Sequence, residues 1–454
     1  MASMPSPAPV TLRQRVLRAG GWSLAGYGLS QMLRLCSSLV MTRLLVPEMF
    51  GVMAIATMVT VILALLSDFG LAQNIVQSRR GDDPEFLDTA WVVQILRGGV
   101  LWLAALLLSI ALYFANLRGM LPANSVYSSP VLPLVIAVSS FSTIISGFAS
   151  TRMSTAYRSF DQKRLIEVEL LGQVAGLVIM IAIGVMTRSI WGLVAGGLAA
   201  SLTITALSHS WMSGHANRLR WDKNALEELI GFGKWIFVSS AVFVLAANGD
   251  RLLLGGVVDA GVLGMYSIAA SIVGVIQGTA GRLTMAVTLP ALSEIARNEP
   301  SRLREVYYKL RVPADLLLLL LAGLLFAAGQ PVIDLLYDPR YSAAGGMLQV
   351  LALSLIAARY EAAHQSYLAL GMPRYLAVIN VVRFVSLYAL VPVLYHLGGT
   401  RAAIWGIALH GLTYVPFDYY FSAQLRMNDF RRELMVLAAL PVGYLLGSAL
   451  NLRG

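Results

Sequence analysis

The sequence has few charged residues and none of the motifs of a soluble enzyme. Only 13% of its 454 residues are charged, whereas a soluble globular domain carries about one quarter. Its single cysteine, Cys36, excludes an intramolecular disulfide. No P-loop is present to grip nucleotide phosphates, and five scattered histidines give no metal-site spacing. An ATP motor would therefore have to be another protein, and a resident metal is not expected.

Apolar residues are abundant instead. They make up 57% of the chain, whose mean hydropathy is +0.70. Apolar runs long enough to cross a hydrocarbon core of roughly 30 Å recur along the whole sequence. They lack the period-two alternation of a membrane barrel, so the runs predict helices. We predict an all-α integral membrane protein of about 13 transmembrane helices, near 21–42, 48–70, 89–114, 129–151, 165–187, 189–211, 231–255, 261–288, 312–337, 344–369, 376–397, 402–424 and 433–450.

The basic residues predict the orientation of these spans. If the N-terminus is cytoplasmic, the inside segments hold 22 Lys and Arg residues and the outside segments hold 7. This alternation is what the positive-inside rule requires. The first apolar run is too long for a signal peptide and is expected to be a retained helix. The net charge of +10 is thus a topology signal, and we expect no nucleic-acid partner.

The longest polar connection, 212–230, follows the sixth span and indicates two halves. Because six is even, span 7 runs in the same direction as span 1, and any repeat is parallel. "TRLLVPEMFGVM" closes the first span, and the similar "DRLLLGGVVDAGVLGMYSIA" closes the seventh. We predict an N-lobe over 1–212, a cytoplasmic amphipathic linker over 213–230, a C-lobe over 231–425 and a C-terminal helix over 426–454.

Several charged residues lie inside the predicted spans, where an ionised side chain costs about 2.5 kcal/mol or more. They are Arg34, Arg97, Asp250, Arg282, Arg359, Glu361, Arg383 and Asp418. Arginine is always charged, and its planar fork matches phosphate oxygens. The sequence therefore predicts that Arg34, Arg282, Arg359 and Arg383 line a wet cavity for an anionic substrate.

Each of these residues also has a structural alternative. Arg97 and Arg282 could snorkel toward the cytoplasmic interface. Arg359 could pair with Glu361 or with another span, and Asp250 could form a local ion pair with its neighbour Arg251.

Span 12 carries a second polar arrangement. His410, Tyr414 and Asp418 are spaced i, i+4, i+8, which places them on one helical face, and Pro416 is expected to kink the helix. With Asp250 and Glu361, His410 and Asp418 are the candidate coupling or gating residues. The hydroxyl stripe of span 4 (Ser139, Thr143, Ser146 and Ser150) is instead typical of helix packing.

Longer stretches resemble a known family. "TRLLVPEMFGVMAIA" and "SDFGLAQNIVQ" resemble the opening of bacterial polysaccharide exporters of the oligosaccharide flippase type, in the multidrug/oligosaccharidyl-lipid/polysaccharide superfamily. The similarity continues in order through "GDRLLLGGVVDAGVLGMYSIA", "VTLPALSEI", "GQPVIDLLYDPRYSAAGGMLQVLALS" and "LALGMPRYLAVIN". The thirteenth span is an addition to the twelve-helix core of that family.

The resemblance implies two six-helix lobes around a central cavity that opens alternately to each side of the bacterial inner membrane. The implied cargo is a polyprenyl-pyrophosphate-linked oligosaccharide, flipped for exopolysaccharide, capsule or O-antigen synthesis. Membrane lipid, a polysaccharide polymerase and export machinery are the implied partners. No cofactor is expected beyond an H⁺ or Na⁺ gradient.

Other functions remain open at this point. Within the superfamily they are a drug/cation antiporter, which should carry acidic cavity residues, and a peptidoglycan lipid flippase. A membrane glycosyltransferase or polymerase usually needs a sizeable external loop, which the sequence lacks. We therefore expect a transporter and no enzyme.

Overall fold

The computed structural model describes residues 12–67 and 70–451. Within these ranges every regular element is a helix, and no strand occurs. Lipid offers no hydrogen bonds to the backbone, so a helix that satisfies its own peptide groups is the favoured form for such apolar runs. The predicted all-α membrane fold is confirmed.

The first half of the chain contains the helices α1 (Leu12–Leu44), α2 (Pro47–Leu66), α3 (Leu71–Gln77), α4 (Pro84–Leu117), α5 (Leu132–Ser139), α6 (Ser142–Gly147), α7 (Arg152–Arg158), α8 (Gln162–Thr187) and α9 (Trp191–Ser210). The second half contains α10 (Lys223–Gly255), α11 (Ala260–Asn298), α12 (Leu303–Leu336), α13 (Ala344–Ala352), α14 (Ser354–Ala358), α15 (Glu361–Ala369), α16 (Pro373–Leu409), α17 (Val415–Gln424), α18 (Phe430–Leu437) and α19 (Ala439–Asn451).

Helical segments lie at all thirteen predicted spans. Among the described residues, eight helices are long and apolar enough to cross a membrane, or nine if the pair bent by 64° in span 4 counts as one. The region 373–424 counts once among these, although the backbone at Gly398 and Gly399 is not helical and divides it into spans 11 and 12. Gly399 has φ +65°, a left-handed conformation that glycine adopts readily.

Four predicted spans are interrupted helices, one of them span 13, in which α18 ends at Leu437 and α19 begins at Ala439. Span 4 consists of α5, α6 and α7, and span 10 consists of α13, α14 and α15. In span 12 a 3₁₀ turn over 410–414 separates α16 from α17. Pro416 is at the start of α17, so the helix is disturbed where the sequence predicted a kink.

The connections alternate between the two ends of the helix bundle. We call the end with residues 45–46, 118–131, 256–259 and 337–343 the corner face. The opposite end, with residues 78–83, 159–161, 211–222 and 425–429, is the linker face.

Helix packing follows the same scheme in both halves. In the first half, α1 packs on α8, α4 on α5 and α6, and α8 on α9. In the second half, the corresponding spans repeat these pairs: α10 packs on α16, α12 on α13, and α16 on α17. This scheme is that of a parallel repeat. The residue boundaries predicted for the lobes remain predictions.

The connection between the halves is shorter than the sequence predicts. Asp222 caps α10 by accepting a hydrogen bond from the Ala225 amide, so α10 begins at Lys223 and only 211–222 is irregular. This irregular part is bound to the first half. The buried carboxylate of Asp88 accepts from the Arg218 amide and lies 2.8 Å from His215 Nε2.

The two halves share one hydrophobic core toward the corner face. Here the backbones of α2 and α11 are in direct contact. A Cβ atom at Gly51 would lie 1.9 Å from the Ala260 carbonyl oxygen, and one at Gly264 would lie 1.9 Å from the Pro47 carbonyl oxygen. The glycines of the two similar sequence stretches thus allow those stretches to pack on each other.

The C-terminal segment packs along α12 as an additional span. A Cβ atom at Gly443 would lie 2.1 Å from the Leu320 carbonyl oxygen, and one at Gly323 would lie 2.1 Å from the Leu440 carbonyl oxygen. Helices α12 and α19 therefore approach each other closely through small residues, as membrane helices often do.

Candidate functional site

Arg34 of the first half and Arg282 of the second half interact with the same acidic residue. The Arg282 guanidinium carbon is 4.1 Å from the centre of the Tyr27 ring, so a side chain of α11 rests on one of α1. Glu169 of α8 interacts electrostatically with both arginines. Both arginine side chains are exposed. We call Arg34, Glu169 and Arg282 the inter-half cluster; it has two cations and one acid.

A second polar region is a cavity of about 340 Å³ within the second half. Spans 7, 8, 10, 11 and 12 surround this C-half cavity. Its acidic, basic and histidine lining residues are Asp250, Arg251, Glu361, His364, Arg383 and His410. Three of the four candidate coupling residues (Asp250, Glu361 and His410) therefore meet here, beside one of the predicted cavity arginines.

Hydrogen bonds hold the acidic residues of the C-half cavity. The Tyr266 hydroxyl donates to Asp250, and the Gln365 amide donates to Glu361 at 2.8 Å. His364 lies between two acids: its Nδ1 is 3.5 Å from Glu361, and its Nε2 is 3.1 Å from Asp418. Glu361, His364 and Asp418 thus form a row of titratable side chains along which a proton could be transferred.

Some polar atoms of this cavity have no hydrogen-bond partner among the described residues. They are Asp250 Oδ1, Arg383 Nε and His410 Nε2. The other ring nitrogen of His410 is 2.6 Å from the Ile407 carbonyl oxygen. Burying an unpaired polar atom costs about 1–3 kcal/mol. The C-half cavity is therefore suited to water or a polar guest.

Asp418 does not line the C-half cavity but lies behind His364, which does. Asp418 is fully buried, and the Tyr367 hydroxyl, 3.1 Å away, donates to it. His410 and Tyr414 line the cavity directly, whereas Asp418 contacts it through His364. Because 410–414 is a 3₁₀ turn, these residues do not share the regular α-helical face that their spacing predicted.

Arg359 is in a different environment from the other three predicted cavity arginines. Only 5% of it is exposed. Its guanidinium pairs with Glu433 of α18 and donates to the Tyr360 hydroxyl at 3.1 Å. These contacts match the alternative of a structural ion pair with another span, although Glu361 is not the partner.

Glu433 also binds Arg311, at 2.5 Å, and Arg311 is 3.0 Å from Asp315. This buried network of two arginines and two acids joins α12, span 10 and α18. We call Arg311, Asp315, Arg359 and Glu433 the buried charge network.

Arg97 connects two helices at the linker-face end of the first half. Its Nε donates to the Ser67 hydroxyl at 3.0 Å, and its Nη2 donates to the Ala64 carbonyl at 2.5 Å. The hydroxyl stripe of span 4 makes similar packing contacts. Thr143, for example, donates to the Gly98 carbonyl at 3.1 Å.

The corner face carries polar contacts between the halves. Arg340 donates to the carbonyls of Thr42 and Arg43, at 3.2 and 3.1 Å, and the Tyr341 hydroxyl donates to the Leu45 carbonyl at 3.0 Å. These carbonyls lie at the end of α1, where no further helical turn satisfies them. We call these contacts the corner joint.

The corner joint includes an acid that orients Arg340. The Arg340 Nε donates to Asp338 at 2.7 Å. This side-chain hydrogen bond from Arg340 lowers the pKa of Asp338 below its ordinary value. The carboxylate therefore stays ionised, and the arginine stays in place, in mild acid.

Sequence reasoning overlooked Glu169, His364, Glu433 and the Arg311–Asp315 pair. Two of these had a local signal: His364 is three residues after Glu361, and Asp315 is four after Arg311, both helical-neighbour spacings. Glu169 and Glu433 had none, because their partners lie far away in the sequence.

A protein-family model described as "Polysaccharide biosynthesis protein" matches residues 40–345, more than half of the chain. The chain belongs to the polysaccharide biosynthesis protein family. This confirms the kinship predicted from the sequence. With its many apolar helices, this family member is a multi-pass membrane protein.

Two curated relatives match at low identity. The lipopolysaccharide biosynthesis protein WzxC of Escherichia coli K12 is 23% identical over 313 residues, which are 66% of this chain and 59% of WzxC. An uncharacterized membrane protein from the cps region of Klebsiella pneumoniae is 21% identical over 304 residues, covering 66% of this chain and 60% of the relative. The matches span about three fifths of the length of these relatives.

Solved structures of transporters share the fold. The lipid II flippase MurJ in an inward closed conformation matches with a TM-score of 0.67 at 12% identity, over 95% of this chain and 98% of MurJ. A MATE-family multidrug resistance transporter of the MOP superfamily, in an inward-facing conformation, matches with a TM-score of 0.63 at 15% identity, over 92% of this chain and 93% of that one. At these identities the likeness establishes the fold alone.

Proposed function

We propose that this protein is a transporter, and no enzyme, that flips a polyprenyl-pyrophosphate-linked oligosaccharide across the bacterial inner membrane. The observation that carries the proposal is the inter-half cluster, in which one exposed arginine from each half acts on the same glutamate. A pyrophosphate needs cationic partners at mid-membrane depth, and guanidinium groups bind its oxygens bidentately. Membership of the polysaccharide biosynthesis family favours an oligosaccharide as the attached group. A polymerase and export machinery would use the product.

Transport would require the halves to rock against each other. The corner joint and the Gly51–Gly264 contact close one end of the space between the halves, and these contacts would have to separate to release cargo there. Rocking of repeats about a fixed site is the usual route to alternating access. A disulfide between cysteines at Glu48 and Asp259, which we call the corner-face crosslink, should lock that end and stop export.

We assign the corner face to the periplasm and the linker face and N-terminus to the cytoplasm. The excess of basic residues in the linker-face connections supports this orientation. In a Cys36→Ser background, a cysteine at Ser213 should resist an impermeant thiol reagent in intact cells. Efficient labelling at Ser213 would reverse the assignment.

We further propose that a proton gradient drives the cycle through the C-half cavity. Two acids, Asp250 and Glu361, face two arginines there, so the cavity carries little excess negative charge to attract Na⁺. Its two histidines are the side chains whose charge changes near neutral pH. Proton binding at His364 or His410 would alter the charge balance next to α10, a helix that also contacts the first half.

The test is export in a strain that lacks the chromosomal gene. That strain should accumulate lipid-linked oligosaccharide, and the wild-type chain should clear it. Arg34→Ala and Arg383→Ala should leave the intermediate in place. Arg34→Lys and Arg383→Lys, which keep the charge but lose the fork, should clear it partly.

Arg297→Ala is the matched control, because Arg297 is an exposed arginine near the linker-face end of α11. All variants should insert at wild-type levels. If Arg34→Ala exports polymer at wild-type rates, the inter-half cluster does not hold cargo, and if Arg383→Ala does so, the C-half cavity does not drive the cycle. Accumulation of peptidoglycan precursor instead would assign the alternative lipid cargo.

A further inference from the structure

A groove with a basic rim lies outside both cavities, where α12 and α18 meet near the linker face. Its volume is about 370 Å³. Its lining residues include Lys309, Val312, Pro313, Arg432, Met435 and Val436. We call it the α12–α18 groove.

The rim of the groove has an excess of positive charge. Lys309 is exposed and makes no hydrogen bond or ion pair with another described residue. Arg432 lies 3.3 Å from Asp429, and Arg304 lies 3.3 Å from the same carboxylate. Asp429 is thus shared between two arginines, and Arg432 keeps most of its five N–H donors for another acceptor.

The nearby Glu433 does not offset this charge, because it points into the protein. Its carboxylate binds Arg311 and Arg359 of the buried charge network. Among the described residues, an anion at the rim would therefore meet Lys309 and Arg432 with Asp429 as the acid that competes for them.

The floor of the groove is apolar, and so is its surrounding surface. Val312, Pro313, Met435 and Val436 form the floor. On the adjoining face of α18, Phe430 is 68% exposed and Leu434 is 59% exposed. An amphipathic helix with such apolar residues and arginines is typical of the membrane interface.

We propose that the α12–α18 groove binds an acidic phospholipid of the adjoining leaflet. Its phosphate would lie between Lys309 and Arg432, and its glycerol and upper acyl chain would cover Val312, Pro313 and Met435. A free phosphate would leave the apolar floor exposed, whereas a zwitterionic lipid would bring its own cation against the two basic side chains. Basic pockets of this kind at the cytoplasmic interface favour anionic headgroups.

The bound lipid would stabilise the docking of α18. Tyr308 connects the groove to the buried charge network, since its ring lies 5.6 Å from the Arg432 guanidinium carbon and its hydroxyl is 3.2 Å from Glu433. A phosphate that holds Arg432 would therefore hold a residue adjacent to Glu433. This effect is independent of which cargo the protein moves.

The experiment uses the full chain in neutral detergent, with phosphatidylglycerol or phosphatidylcholine added. We expect phosphatidylglycerol to raise the unfolding temperature more than phosphatidylcholine does, and native mass spectrometry to retain one phosphatidylglycerol. Lys309→Gln with Arg432→Gln should weaken phosphatidylglycerol binding by roughly ten- to thirtyfold. The double variant Lys309→Arg with Arg432→Lys, which keeps both positive charges, should retain phosphatidylglycerol binding.

The matched control is Lys163→Gln with Arg297→Gln, which removes two exposed basic side chains elsewhere near the linker face. It should keep the preference for phosphatidylglycerol. The proposal is overturned if the control loses as much affinity as the groove variant, because the attraction is then general surface charge. It is also overturned if inorganic phosphate alone gives the same stabilisation, or if the groove variant keeps the wild-type preference.

Discussion

Removal of the negative charge of Glu433 tests whether buried ion pairs hold the thirteenth span on the rest of the protein. Glu433 is 11% exposed at its side chain and binds Arg311 and Arg359, whose side chains are 2% and 4% exposed. In Glu433→Gln, two buried guanidinium groups would remain with Asp315 as their only acid in the buried charge network. In the wild type the two arginines contact a carboxylate. In the variant they would contact a glutamine side chain, which offers only a neutral oxygen or an N–H donor.

The expected loss of stability follows from this burial. Removing one partner of a buried pair costs about 3–5 kcal/mol, because an uncompensated charge stays inside. An unfolding entropy of about 2.1 cal/mol/K per residue over 454 residues makes each kcal/mol worth roughly 1 °C, so Glu433→Gln should lower the unfolding temperature by roughly 3–5 °C. Glu305→Gln is the control, since Glu305 is exposed and 3.9 Å from its partner Arg302. It should change stability by less than about 0.5 kcal/mol.

Thermal unfolding of the purified variants, followed by intrinsic fluorescence in one detergent, measures the difference. A second variant distinguishes the effect of an unbalanced buried charge from the effect of an altered side-chain shape. Arg359→Gln together with Glu433→Gln leaves Arg311 with Asp315, 3.0 Å away, so it should recover much of the loss in a non-additive way. If Glu433→Gln unfolds within the error of wild type, or if the double variant is less stable than either single one, the reasoning is refuted.

The corner face yields three further predictions, all read from the yield of the corner-face crosslink in a Cys36→Ser background. Arg340→Gln loses charged donors worth about 1.5–3 kcal/mol, so the yield should fall; an unchanged yield would show that the joint does not hold this end closed. The pKa of Asp338 is lowered, so the stabilisation that its ionised carboxylate gives the corner joint is fully present above the ordinary carboxyl pKa. That stabilisation is lost as the pH falls through the lowered pKa. Thiol oxidation itself is slower in acid, so the yield is compared at each pH with that of the same cysteine pair in Arg340→Gln. The excess yield of the intact joint should be equal at pH 8 and pH 5, and its loss at pH 5 would contradict the assignment. Gly264→Ala, whose Cβ would lie 1.9 Å from the Pro47 carbonyl oxygen, should also lower the yield, whereas Gly346→Ala, which meets nothing within 4 Å, should not.

The sequence by itself determined the class of protein, the order of its spans and their relative directions. These properties depend on local composition: a long apolar run in lipid must satisfy its own backbone, so it becomes a helix wherever it occurs. The even number of spans before the linker then requires span 7 to run parallel to span 1. The similar corners at 42–53 and 250–269 indicated the repeat, and the family match confirmed the kinship.

Local patterns predicted a disturbance of span 12 near Pro416, but they could not show the form that the interruptions take. Span 12 reads as one helix with a kink, yet 410–414 is a 3₁₀ turn. In span 10, the α-helix stops between Ala358 and Glu361, where the Tyr414 hydroxyl donates to the Ala357 carbonyl. This carbonyl also accepts from the Tyr360 amide, but its side-chain donor is 57 residues away.

Only the tertiary structure decided what each buried charge contacts. Arg34 and Arg359 are alike in sequence, since each is an arginine inside an apolar span. The structure leaves Arg34 exposed near Glu169 and buries Arg359 against Glu433. An ion pair depends on which helices become neighbours, and that neighbourhood arises when all the helices pack together; no spacing within one span encodes it.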